Sequence, residues 1–402
     1  MTSTAEPLRF TGSGSEYFRI WIVNVLLTIV TLGFYSPWAK VRRLKYFYGN
    51  TYLLDAPFDF HGRPLPILAG RVIAIGFLFV YSNPHIFTWQ LSAATAVAIA
   101  LLLPLLMQRS LRFRLRNTSW RNLRFGFGGS APQAYRALWQ PIVVALGLGL
   151  ILMVAVWALG SNATDALGSG AWGLGRNGDG LSGSVLKLIL GAALLVVLLV
   201  IAAPLMMAAV YSAWRRFAGN HASFGSARFA LQLRLVDVAK IQFVAVLLTG
   251  LMLACMIGLV LASIAIPASP EAIGRGKPPL WASIGPLIFV PVFYLGMWSI
   301  SGYVASRLQR LVWNATTMEQ HGFTCDLQAR RFMGLMVKNL LLTILTLGLY
   351  RPFAAVAKAR MQLESVHFVP EGSIDEIVAK AEADQRAIGE EFVDALDFDL
   401  SF

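Results

Sequence analysis

Charge is scarce in this chain. Asp, Glu, Lys and Arg make up 14% of its 402 residues, while 56% are hydrophobic. Soluble globular proteins carry roughly 25% charged residues, so that class is excluded. Cysteine is nearly missing: Cys255 lies within an apolar run and Cys325 in a polar loop, which leaves no disulfide framework and no thiolate metal site. Five histidines, His61, His85, His221, His321 and His367, are scattered without the paired spacing of a metal site. No Gly-Lys-Ser/Thr phosphate loop occurs, and "GSGAWGLGRNGDG" has neither a strand before it nor a helix after it, so it reads as a flexible loop. Serine, histidine and acid residues form no nucleophile pattern. No enzyme, cofactor or metal site is expected. The opening "MTSTAEPLRFTGSGSEYF" lacks the basic and apolar regions of a removable signal peptide.

Apolar sequence is abundant instead, with a mean hydropathy of +0.62. Six runs, 66–81, 87–107, 142–159, 185–210, 241–266 and 280–304, approach or exceed the roughly 18 residues that mark a membrane helix. Two shorter runs, 18–35 and 332–350, flank them. Lys and Arg gather in four connections, 40–71, 109–136, 214–240 and 306–338, whereas "SNPH", "SNATDALGSGAWGLGRNGDGLSGS" and "PASPEAIGRGKPP" are lean in charge. The positive-inside rule puts the four basic connections in the cytoplasm and the three lean ones outside, giving three helical hairpins. Arg71 and Lys187 lie near span ends, where such side chains snorkel. The overall charge of +13 conceals a split: residues 371–402 hold ten acids against Lys380 and Arg386, a net of −8, which leaves +21 on the rest.

The flanking runs are copies of one another. "TIVTLGFYSPWAKVRR" and "TILTLGLYRPFAAVAK" match at Asn24/Asn339, Thr28/Thr343, Thr31/Thr346, Gly33/Gly348, Tyr35/Tyr350 and Pro37/Pro352. Glycine and proline interrupt a helix, and proline is favoured where the next one begins, so each copy reads as helix, break, basic helix. Either copy crosses the membrane or dips in and turns back; a crossing or deep insertion is favoured for the first, and the second is left open. A further repeat follows the membrane segments: a basic–aromatic run, then Asn with a small polar residue, then Gly and Phe. Examples are "VRRLKYFYGNTYLLDAPFDFHG", "LRFRLRNTSWRNLRFGFGG", "WRRFAGNHASFGSARF" and "LQRLVWNATTMEQHGF", and "AKARMQLESVHF" has lost its Asn. Alternating aromatics around turn residues predict short strands, and repetition about five times predicts that they associate into a small cytoplasmic sheet.

These quoted segments, with the closing "GEEFVDALDFDLSF", resemble the YjgN-like family of bacterial inner-membrane proteins over essentially the whole chain. The resemblance implies a multi-pass inner-membrane location and carries over no catalytic residue or substrate.

The expected architecture is an α-helical polytopic membrane protein of repeated transmembrane hairpins with small β-hairpin-like cytoplasmic elements. Its segments are a polar lead-in 1–17, a first broken-helix unit 18–62, three hairpins 63–327, a second broken-helix unit 328–370 and an acidic tail 371–402. Two function classes follow. In the first, a structural or lipid-organising protein, Arg42, Arg43, Arg112, Arg116, Arg215, Arg216 and Arg310 contact anionic headgroups. In the second, a transporter or channel, the paired breaks at Asn24, Gly33, Tyr35, Pro37 and Asn339, Gly348, Tyr350, Pro352 mark the site. Alternatively the two asparagines simply hydrogen-bond the bundle together, and Lys338 is an anchor or a buried counter-charge. The basic–aromatic loops, with Trp120, Phe125 and Phe127, suit lipid better than nucleic acid. The acidic tail either stays solvated or docks on the basic face. Homo-oligomerisation is left open.

Overall fold

Each helix that descends from an apolar run ends in the same local signal. Asn50 and Asn117 donate from Nδ2 to the carbonyls of Tyr46 and Phe113, and Thr51, Thr118 and Thr316 donate to the carbonyl four residues back. Asn220 and Asn314 use Oδ1 instead, accepting the N–H of Leu231 and Cys325 from the neighbouring strand. In the last copy Ser365 replaces the pair and donates to Gln362. These side chains occupy the backbone groups a helix end leaves open, so the helix stops and a strand begins there.

The computed structural model describes residues 5–168, 183–265 and 280–372, with 375, 376, 378, 379, 382 and 383. Most of the acidic tail, all of "PASPEAIGRGKPP" and most of the Gly-rich connection lie outside the described residues. Ten helices are described: α1 (Gly14–Val30), α2 (Ser36–Gly49), α3 (Pro64–Ser82), α4 (Trp89–Arg116), α5 (Ala131–Gly168), α6 (Gly183–Asn220), α7 (Leu235–Ala265), α8 (Leu280–Asn314), α9 (Ala329–Leu345) and α10 (Arg351–Glu364). Their strands are β1 (Glu6–Pro7), β2 (Arg9–Phe10), β3 (Thr51–Leu53), β4 (Ala56–Phe60), β5 (Thr118–Trp120), β6 (Leu123–Phe127), β7 (Ala222–Phe224), β8 (Ala227–Leu231), β9 (Thr316–Met318), β10 (His321–Cys325) and β11 (Val366–Val369).

The strands associate into one eleven-stranded antiparallel sheet, larger than the small sheet of hairpin-like elements expected. Tight turns with positive φ at Leu54–Asp55 and Arg121–Asn122 close the first two hairpins, the backbone that suits the twist of paired strands. The lead-in 1–17 is no separate segment, because it supplies β1, β2 and the start of α1. β1 pairs with β11 and β2 with β3, while the N–H of Leu8 between them donates to Val366. The stretch Glu6–Phe10 therefore joins the two ends of the sheet into a ring, and a ring has no open edge to aggregate.

Leu53, Trp120, Phe224, Met318 and Phe368, one from each of the five repeats, meet in one apolar cluster inside that ring. Phe58, Phe125, Phe229 and Phe323, at equivalent positions of the second strands, follow one another with ring centroids 6.3–6.4 Å apart. Such aromatic pairs contribute about 0.5–1.5 kcal/mol each beyond burial. Trp120 and Phe127 are buried, which removes them as stacking platforms for bases.

The chain divides into two units. One comprises Met1–Tyr135, Trp214–Leu233 and Ser301–Phe402, and holds the sheet with α1–α4, α9 and α10. Within it α1 packs on α2 and on α10, and Phe10, Tyr17, Tyr46 and Val356 form a common core. The other comprises Arg136–Ala213 and Arg234–Ile300, whose described residues, Arg234 aside, lie in α5 to α8. Five helices among the described residues are long and apolar enough to cross a membrane: Pro64–Ser82, Trp89–Arg116, Ala131–Ala158, Leu235–Gly258 and Phe289–Asn314. The sixth expected span, 185–210, is helical within α6.

Candidate functional site

The twin breaks are the most regular polar feature of the chain. α1 ends at Thr31, and Leu32 and Gly33 then take the left-handed conformation with φ of 49° and 93°. Leu347 and Gly348 repeat this at 50° and 93°. The N–H of Gly33 donates to Thr28 and that of Leu32 to Ile29, with Gly348 to Thr343 and Leu347 to Ile344 in the second copy. These paired bonds form a Schellman closure, which ends a helix on a left-handed residue. The hydroxyls of Thr31 and Thr346 then bridge to the next helix, accepting the N–H of Tyr35 and Tyr350 at 2.9 Å. Pro37 and Pro352 sit fully buried in the first turns of α2 and α10. Tyr35 stacks on Trp38, and Tyr350 on Phe353.

Both legs of the first hairpin lead into the sheet, since α1 follows β2, α2 precedes β3, and β2 pairs with β3. The second hairpin runs from β10 to β11, which also pair. Each is a helix–turn–helix that returns to the sheet it left, which a single crossing does not allow; of the crossing or deep insertion expected for the first copy, this geometry leaves the insertion. Leu32 and Leu347 are 92% and 95% exposed, and Phe34 and Leu349 beside them are exposed too. Asn24 and Asn339 are buried, and the Oδ1 of each has no hydrogen-bond partner among the described residues. Asn339 donates from Nδ2 to Ala354, which ties α9 to α10. Lys338 is exposed on α9.

Arginines gather on the last turns of the long helices that run into the sheet, and midway along α2. Arg112 and Arg116 on α4, Arg216 on α6 and Arg310 on α8 are exposed, as are Arg42 and Arg43 on α2. Arg42 lies 5.7 Å over the ring of Tyr35 and Arg43 5.7 Å over Phe47. Arg215 differs. It lines a cavity of about 430 Å³ between the ends of α2, α4, α6 and α8, and its Nε is buried without a partner among the described residues. The sequence offered no signal that separates Arg215 from the other arginines, because the distinction depends on which way a helix faces. Among the described residues no group of three His, Cys, Asp or Glu is placed to hold a metal ion.

The acidic tail touches the sheet where it is described. Asp375 accepts from Arg121 at 2.8 Å, and Val378 packs on the apolar cluster inside the ring.

Comparison with known proteins agrees with this architecture. The chain is similar to the inner membrane protein YjgN of Salmonella typhimurium (strain LT2), 28% identical over 230 residues, covering 56% of this chain and 52% of that protein. It is 27% identical over 231 residues to the inner membrane protein YjgN of Escherichia coli (strain K12), with the same shares. The chain thus matches about half the length of these relatives. No solved structure matches it. Together with the apolar helices, these relatives place the chain in the inner membrane as a multi-pass protein. A family model matches residues 5–395, and the chain belongs to that family, the bacterial proteins of unknown function DUF898.

Proposed function

We propose that this protein organises anionic lipid in the cytoplasmic leaflet, with two short helical hairpins inserted from the cytoplasmic side and a rim of arginines facing the headgroups. The repeated tip carries this reading. A leucine in left-handed backbone costs roughly 1–2 kcal/mol, and in water glycine or asparagine relieves that cost. Yet Leu32 and Leu347 both hold this conformation while exposed. Full burial of a leucine in an apolar medium contributes about 1.5–3 kcal/mol, which outweighs the strain. A lipid interior supplies that medium.

The lengths agree. α1 and α9 have 17 residues each, about 25 Å at a rise of 1.5 Å per residue. That is short of the ~30 Å hydrocarbon core. With the basic sheet side in the cytoplasm, the tips end inside the bilayer. Arg112, Arg116, Arg216 and Arg310 lie within the last turns before the sheet, at headgroup level, where each contributes about 1 kcal/mol on an anionic surface.

The test is the lipid composition of polymer-extracted native discs. The protein is expected to be enriched in phosphatidylglycerol over the bulk membrane, and the triple variant Arg112→Gln, Arg116→Gln, Arg310→Gln to lose that enrichment. A wild-type disc with bulk composition refutes the reading.

One observation favours a transporter instead: the unsatisfied Oδ1 atoms of Asn24 and Asn339 at equivalent places in the two hairpins. Buried polar groups in a membrane protein mark solute or ion paths. Substituting both by leucine separates the readings: lost flux of a solute with normal folding supports transport, whereas simple loss of stability supports packing.

A further inference from the structure

The cavity between the ends of α2, α4, α6 and α8 is a different kind of place from the exposed arginine rim. Its floor is the aromatic row Phe58, Phe125 and Phe229, and Trp313 stands in its wall. Arg114 and Arg215 are its charged lining residues, and no acid lines it. Neither arginine has a carboxylate partner among the described residues, and apart from Tyr48, Thr118 and Thr316 the other lining side chains are apolar. The hydroxyls of Thr118 and Thr316 donate back to the carbonyls of Arg114 and Val312. A buried guanidinium nitrogen left unpaired is costly, and an arginine offers two parallel donors matched to a phosphate or carboxylate. The volume of about 430 Å³ falls within the usual range of small-molecule sites.

We infer that this cavity is a binding site for the anionic head of a phosphate-bearing amphiphile, held by Arg215 and Arg114 with its apolar part against the phenylalanine row. Excess positive charge without a counter-ion selects an anion, and the aromatic floor selects an apolar body over a free inorganic ion. Ala218, on the turn of α6 after Arg215, also lines the space, so a larger side chain there fills the site while both arginines remain. The inference rests on the lipid reading above only for its choice of lipid as probe.

The experiment uses full-length protein, delipidated in detergent and titrated with phosphatidylglycerol or, separately, with glycerol 3-phosphate, while native mass spectrometry counts bound copies. The wild type is expected to bind one saturable copy of phosphatidylglycerol. Arg215→Gln and Ala218→Phe each weaken that copy at least tenfold. Equal affinity for glycerol 3-phosphate overturns the amphiphile in favour of a water-soluble phosphate compound; binding of phosphatidylglycerol alone supports it. Ala218→Phe keeps the test decisive where Arg215→Gln folds poorly. Absence of a saturable copy in the wild type, or wild-type affinity in a folded Ala218→Phe, overturns the site. Bulk lipid enrichment in native discs is a separate readout that Ala218→Phe leaves intact, so failure of the cavity and failure of the lipid reading are distinguishable.

Discussion

Replacing Leu32 by asparagine asks whether the hairpin tip sits in lipid or in water, because the two surroundings give opposite signs. Leu32 has φ of 49° and is 92% exposed, so the protein itself offers it little burial. Asparagine accepts left-handed backbone, which returns about 1–2 kcal/mol wherever the tip lies. In water nothing opposes this gain, and Leu32→Asn stabilises the hairpin by about 1 kcal/mol. In hydrocarbon the substitution forfeits about 1.5–3 kcal/mol of leucine burial and adds about 1–3 kcal/mol for an unpartnered amide. The net is a loss of about 2–3 kcal/mol at the central values of these ranges. Leu347, with φ of 50° and 95% exposure, follows the same arithmetic. We expect Leu32→Asn and Leu347→Asn each to lower the thermal unfolding midpoint in lipid nanodiscs, and the double variant to lower it further. A raised midpoint for either variant refutes membrane insertion of that tip.

Three further outcomes follow from the packing of the same unit. A Cβ on Gly14 would lie 2.4 Å from the Phe353 ring, so Gly14→Val drives α1 away from α10, and overpacking of this kind costs about 1–3 kcal/mol; a wild-type unfolding midpoint argues against this packing. Tyr46 donates to the Ser13 carbonyl at 2.8 Å and lies 3.2 Å from the Glu16 carboxylate, and burial first and Glu16 second raise its pKa from 10.0 to about 12. The folded state keeps that proton longer than the unfolded chain, so the stability it contributes is complete below pH 10 and is lost as pH rises from 10 to about 12; Tyr46→Phe is expected to flatten this decline in a pH series of unfolding midpoints. For the tail we propose docking led by Val378 rather than by the exposed Arg121–Asp375 pair, since exposed ion pairs contribute only about 0–1 kcal/mol. Limited proteolysis of residues 371–402 should then accelerate more in Val378→Ser than in Asp375→Asn, and the reverse order disproves it.

Much of this fold is legible where chemistry is local. The Asn at Asn117 or Asn314, joined at Thr118 by a hydroxyl, fixes helix ends through bonds spanning four residues or one neighbouring strand, and a repeat of this signal announces the strands. Gly33 and Pro37 mark a break for the same reason. The return of the break to its own sheet is not local: it depends on β2 pairing with β3 across the whole hairpin. Closure of the ring was equally hidden, because Glu6–Pro7 and Arg9–Phe10 are too short to show alternation and gain their structure from strands hundreds of residues away in sequence, such as β11. The five arginine-bearing helix ends look alike in sequence. Only their packing turns Arg215 into a cavity and leaves Arg112, Arg116 and Arg310 outside.

Depth of the two tips tests the central claim most directly. Single cysteines at positions 32, 347 and 55, in a chain whose Cys255 and Cys325 are replaced, are exposed to a membrane-impermeant maleimide from each side of the membrane. Asp55 in the turn between β3 and β4 is exposed, so its cysteine is the control for the sheet side. The account predicts that position 55 reacts from the cytoplasm alone, while positions 32 and 347 are shielded from both sides and quench with a lipid-soluble probe. Labelling of position 32 or 347 from the periplasm, or ready labelling of either from the cytoplasm, contradicts it.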